Sequence, residues 1–234
     1  MKPMSLLAGM QRNAAQRKPI AEPLLLEWLV LLGMLIFAAW LLGVQGVWQL
    51  LIRSDPTGIT LVIILVFAAS TLWCGSRSRE LGQQRQDLDA AALRGLHAMT
   101  VSPCWAGAYW AALSAAPRDS AAPLDLLLES THGPHSTAWW VNGIQLKLGL
   151  LGKVIGFSVL ALQIGQIQNF DASQSQDLLR SLTTGLGVAL LTTMVGLVGN
   201  IVLGLQLTRL DRYADDIVAQ AQRHGLQLQS GQEK

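Results

Sequence analysis

The chain has 234 residues and a formal net charge of +2, with 51% hydrophobic and only 14% charged residues. Soluble domains usually carry about 25% charged residues, so an ordinary soluble globule is excluded. The deficit arises because long stretches carry no charge at all.

Residues 1–22 form a basic segment with Lys2, Arg12, Arg17 and Lys18. The apolar run that follows is too long for a secretory signal and lacks a small-residue cleavage site. A first hairpin over 23–76 is predicted to hold two spans, within the uncharged runs Trp28 to Ile52 and Pro56 to Ser76. Each is long enough for the roughly 20 residues that a bilayer-crossing helix takes.

Residues 77–138 are predicted to be a cytoplasmic helical segment. It opens as an amphipathic helix, with Leu81, Leu88, Ala92 and Leu96 at helical spacing. Short helices broken at Pro103, Pro117 and Pro123 should follow. The charges Arg77, Arg79, Glu80, Arg85, Asp87, Asp89 and Arg94 fit a solvated face, with contact to a rotor as the sharper alternative. His132 and His135 in "THGPH" have metal-like spacing, but Gly133-Pro134 between them suggests a turn. With no further ligand in view, no metal site is expected. Cys74 and Cys104 are expected to be reduced, small buried residues.

A second hairpin over 139–208 holds a span from about Trp139 to Gln168 and another from Ser181 to Thr208. Trp139 and Trp140 suit an interfacial anchor. Residues 209–234 read as a helix continuing out of the last span, with Arg209, Asp211 and Arg212 marking the membrane exit. The basic residues collect before the first span, between the second and third, and after the fourth. The outer connections hold only Arg53 and Arg180. The positive-inside rule then places both termini and 77–138 in the cytoplasm.

The last two spans are rich in small residues. Gln145, Gly149, Gly152 and Gly156 share one helix face. Thr192, Gly196, Asn200 and Gly204 form one column of the next span, and Gly185, Ala189 and Thr193 another. Such columns let helix backbones approach closely in lipid. Tight packing alone accounts for the glycines, whereas Thr193 and Asn200 could equally line a polar path.

Lys153 is the anomaly. It lies about 21 Å along a helix from Trp139 and about 27 Å from Asp171. Thr193 lies about 20 Å from Arg180 and about 24 Å from Arg209, so an antiparallel hairpin sets both residues near mid-membrane. A lysine there costs about 2.5–3.5 kcal/mol on insertion scales. The acids Glu22, Glu27, Asp55, Asp171 and Asp177 all sit at span ends. The counter-charge is expected from a partner subunit's carboxylate. Neutral, desolvated lysine and pore water are the alternatives.

The run "GLLGKVIGF", followed by "LTTGLGVALLTTMVGLVGNI", resembles the MotA/TolQ/ExbB proton-channel family. The family pattern is G-L-L-G-T-V-x-G in one span and A-L-x-T-T-x-x-G-L in the next. Gly149, Leu150, Leu151, Gly152, Val154 and Gly156 match the first. Ala189, Leu190, Thr192, Thr193, Gly196 and Leu197 match the second. The resemblance covers about 135–215, and the four spans are like the MotA branch. It implies an inner-membrane stator subunit forming a homopentamer around two copies of a MotB/TolR/ExbD-like single-span partner. That partner's membrane aspartate would carry H+ or Na+, and Thr193 would line the route. Where the family has threonine, this chain has Lys153.

Two other readings stay open. One is a non-conducting membrane scaffold of the same architecture with Lys153 as a plug. The other is a transporter binding an anion at Lys153, which predicts further donors within the membrane. The expected fold is all-α, an integral membrane bundle of four transmembrane helices with cytoplasmic helices. There is no P-loop, nucleophile elbow or zinc signature, so neither an enzyme nor a cofactor is expected, and no nucleic-acid partner. The ion-pathway candidates are Thr193, Thr192, Lys153 and Asn200. The helix-packing candidates are Gly149, Gly152, Gly156, Gly185, Ala189, Gly196 and Gly204.

Overall fold

The computed structural model describes residues 24–55, 58–94, 100–115, 121–165 and 172–232. Its helices are α1 (Leu24–Val44), α2 (Val47–Ser54), α3 (Ile59–Arg94), α4 (Trp105–Ala115), α5 (Ala121–Gly165) and α6 (Ala172–Gln232), with no strand among the described residues. The chain is an all-α bundle. Helices α1, α3, α5 and α6 are long and apolar enough to cross a bilayer, which makes this a multi-pass membrane protein. Apolar side chains such as Met34, Phe37 and Trp40 are exposed along α1, as a helix facing lipid requires.

The uncharged run from Trp28 to Ile52 does not form one straight span. Helix α1 ends at Val44, and Gly46 turns the chain with φ +73°, a conformation open chiefly to glycine. Helix α2 folds back, and Trp48 Nε1 donates to the carbonyl of Ala39 at 2.9 Å. Asp55 then closes the start of α3. Its carboxylate accepts from the backbone N–H of Gly58 at 3.1 Å and of Thr60 at 2.6 Å.

Helices α3, α5 and α6 have 36, 45 and 61 residues, about 54, 68 and 92 Å of rise. A hydrocarbon core is only about 30 Å thick. The excess projects from one end of the bundle, called here the charged end, and the main apolar core lies largely there. On α6 the buried positions Leu203, Leu207, Leu210, Ala214, Ile217 and Ala221 recur every three or four residues, a continuous seam. Leu81 and Leu88 of α3 join the same core, as does Trp110 of α4. Trp110 is fully buried, and its Nε1 donates to the carbonyl of Ala221 at 2.8 Å.

The prolines depart from the sequence expectation. The "THGPH" stretch is not a turn: Pro134 lies inside the continuous helix α5. Pro123 sits in the first turn of the same helix, where a missing N–H costs little. Pro103 precedes α4. Pro117 and Leu96 lie outside the described residues.

Candidate ion path in the α5–α6 hairpin

Helices α5 and α6 pack antiparallel along their small-residue columns. A Cβ added to Gly196 would meet the carbonyl oxygen of Gln145 at 2.9 Å and Gly149 Cα at 3.0 Å. One added to Gly152 would meet Thr192 Oγ1 at 2.8 Å, and one at Gly156 would meet Ala189 Cβ at 3.2 Å. The backbones are thus in contact, as small residues in a membrane seam allow. Gly185 and Gly204 extend the seam more loosely, against Leu160 Cδ1 (3.0 Å) and Asn142 Nδ2 (3.4 Å).

The two threonines sit differently. Thr192 is fully buried and faces Gly152, with Oγ1 donating to the Ala189 carbonyl at 3.2 Å. Thr193 is half-buried beside the seam. Its hydroxyl lies 2.9 Å from the Ala189 carbonyl and 3.3 Å from the Gly149 carbonyl on the facing helix. Asn200 is half-buried and donates from Nδ2 to the carbonyl of Asn142 at 2.8 Å.

Lys153 is next to Gly152 in sequence and so shares its level with Thr192. Its side chain leaves the seam and is half-buried, with Nζ 5.9 Å from the centroid of the Phe157 ring. No carboxylate among the described residues pairs with it. Glu27 reaches Arg209 at 3.7 Å, and Asp55 caps α3. Asp171 lies outside the described residues.

A row of polar groups on the seam face of α5 extends the candidate site. Gln145 is fully buried, and neither of its side-chain polar atoms has a hydrogen-bond partner among the described residues; Asn142 Oδ1 is in the same state. Unpaired buried amides are costly. Asn142, His135 and Thr131 continue the column that Gln145, Gly149, Gly152 and Gly156 begin. Carrying the same three-and-four spacing backwards along the sequence finds them.

That row ends in a network at the charged end, outside the spans. His135 is buried. Its Nδ1 lies 2.7 Å from Asp211 Oδ1, and its Nε2 is 3.3 Å from Arg77 Nε. Because Arg77 can only donate, Nε2 accepts and the proton sits on Nδ1, pointing at Asp211. Trp139 Nε1 donates to the other oxygen of Asp211 at 2.8 Å. Burial lowers the His135 pKa, with Arg77 and His132 acting the same way and Asp211 opposing. His132 faces Asp215 at 3.0 Å. No group of three metal-ligating side chains occurs among the described residues.

Comparison with protein-family models, curated proteins and solved structures finds no match to this chain.

Proposed function

We propose that the chain is the membrane subunit of an ion-driven motor of the MotA/TolQ/ExbB type, seated in a bacterial inner membrane with both termini cytoplasmic. In this reading, five copies surround two copies of a single-span partner. A carboxylate on the partner's helix carries H+ or Na+ past Thr193 and pairs with Lys153 during the cycle. The observation that supports it is the α5–α6 hairpin. Its glycine seam holds two backbones in contact, with the Thr193 hydroxyl and the Lys153 side chain beside it, and no carboxylate among the described residues is paired with Lys153. A cation at membrane depth calls for an opposite charge, and the partner supplies it.

The second reading is the non-conducting scaffold with Lys153 as a permanent plug. Its support is that a fixed ammonium next to the path repels cations and holds a facing carboxylate ionised. Proton flux into vesicles containing the chain and its candidate partner separates the two. Conduction by wild type that Thr193→Ala abolishes supports the motor. A silent wild type with a leaking Lys153→Thr supports the plug. Silence in every form overturns the ion-channel reading.

A further inference from the structure

Near the charged end, α1 leans on α3 and stands off from α6. Trp28 fixes the lean. Its Nε1 donates to the Thr71 carbonyl at 3.0 Å, and its ring lies so close over Gly75 that a Cβ there would clash with it. On the other side of Trp28 a cleft of about 590 Å³ opens between α1 and α6. Leu26, Val30, Leu31 and Leu205 supply its apolar walls, and Glu27, Arg209 and Arg212 stand at its mouth. Glu27 is engaged with Arg209, whose side chain is 61% exposed. A smaller cleft of about 290 Å³, lined by Arg79 and Arg85, shares Leu24 and Ser78 with it.

We infer that this cleft is a binding site for an anionic phospholipid, with an acyl chain along the α1–α6 walls and the phosphate on Arg209 and Arg212. Two observations select that occupant. The walls are apolar and lie on spans, so an acyl chain fits where a free phosphate would use only the mouth. The arginines sit where α6 leaves its apolar stretch, at headgroup level. The inference needs only a membrane protein and does not rest on the motor reading.

The test is native mass spectrometry of the full chain in detergent with phosphatidylglycerol or phosphatidylcholine added at equal dose. One phosphatidylglycerol is expected to be retained through delipidation that strips phosphatidylcholine. Arg209→Gln and Arg212→Gln should each weaken retention about five-fold. Val30→Trp, which fills the cleft and leaves every charge in place, should also release the lipid. Equal retention of phosphatidylcholine overturns the inference, as does indifference to the arginine changes. Unchanged retention in Val30→Trp reduces the site to surface charge and overturns the cleft. Displacement by inorganic phosphate does the same. A disulfide formed readily between Leu31→Cys and Leu6→Cys makes the occupant the chain's own N-terminal segment and also overturns it.

Discussion

The guanidinium of Arg77 donates at 2.9 Å to the backbone carbonyl of Ser130, the group that Pro134 leaves without its intrahelical partner. A proline inside a helix removes one i to i−4 hydrogen bond, and here a side chain from another helix replaces it. The same nitrogen reaches the Thr131 carbonyl at 2.9 Å, and Nη1 pairs with Glu80 at 2.7 Å. The Arg77 ring contact with Trp105 brings in the start of α4. One guanidinium thereby ties α3 to α5 where both leave the bilayer.

Arg77→Leu should destabilise the protein by roughly 3 kcal/mol, because it strands the Ser130 carbonyl and His135 Nε2 at about 1–3 kcal/mol for each buried group, the Thr131 carbonyl keeping its intrahelical partner. Arg77→Lys should recover less than half, since an ammonium lacks the planar fork. Pro134→Ala restores an N–H for Ser130 and should return about 1 kcal/mol in the Arg77→Leu background while doing little alone. Denaturant titration in micelles measures the cycle, and additivity of the two changes would sink the account.

Stability should fall as pH drops below about 6.5, the ordinary value for histidine. His135 has a lowered pKa in the folded protein, chiefly through burial, so below that value the unfolded chain binds the proton more readily. The loss is complete once pH passes the folded pKa and is absent above neutrality. The charges facing His135 are Arg77 from α3, His132 from α5 and Asp211 from α6. The expected slope for this group is at most about 1.4 kcal/mol per pH unit. His135→Asn keeps a donor for Asp211 and should flatten that slope.

Glycine substitutions should rank by what the new methyl meets. Gly196→Ala drives Cβ into backbone atoms of Gln145 and Gly149 that cannot rotate away, and a cost of about 1–3 kcal/mol is expected. Gly152→Ala meets the Thr192 side chain and should cost less. Gly33→Ala meets nothing within 4 Å and should be neutral or slightly stabilising. Resistance to SDS unfolding reads the order, and equal losses at positions 196 and 33 would refute the seam.

Lys153→Met should stabilise the chain, by up to about 3 kcal/mol on insertion scales, and, under the proposed motor reading, should reduce co-purification of the proposed single-span partner. Lys153→Glu should abolish that co-purification by setting two carboxylates against each other. Retention of the partner by both variants would remove Lys153 from the interface.

Much of this architecture is written plainly in the sequence. Three of the spans follow from uncharged runs and the one from about Trp139 to Gln168 from helix patterning, and the seam follows from Gly149, Gly152 and Gly156 recurring opposite Thr192, Gly196 and Ala189. Helical rise alone sets Lys153 level with Thr193, and the contact between positions 152 and 192 has that register. The charged-end network is harder to read. Arg77 is one more basic residue in a linear charge map, and its partners Ser130, Thr131 and His135 lie more than fifty residues away. The rule that proline ends a helix gave a turn at Gly133-Pro134 because the compensating donor sits on another helix. The break after α1 was likewise hidden. Gln45 and Gly46 are as uncharged as their neighbours, and only the positive φ of Gly46 reveals the fold-back.

Helix α6 runs for 61 residues with no proline and no break, so the Thr193 level and the far tip at Gln232 belong to one rod. From Gly196 to that tip the rod measures about 54 Å. A rock of roughly 5° about the glycine seam would swing the tip by about 5 Å, close to one helical turn. Trp110 and the leucines of α3 pack along its flank, so any tilt at the seam would carry that packed end with it as one body. A tilt that barely disturbs the seam is therefore a shift of helical-turn size at Gln232.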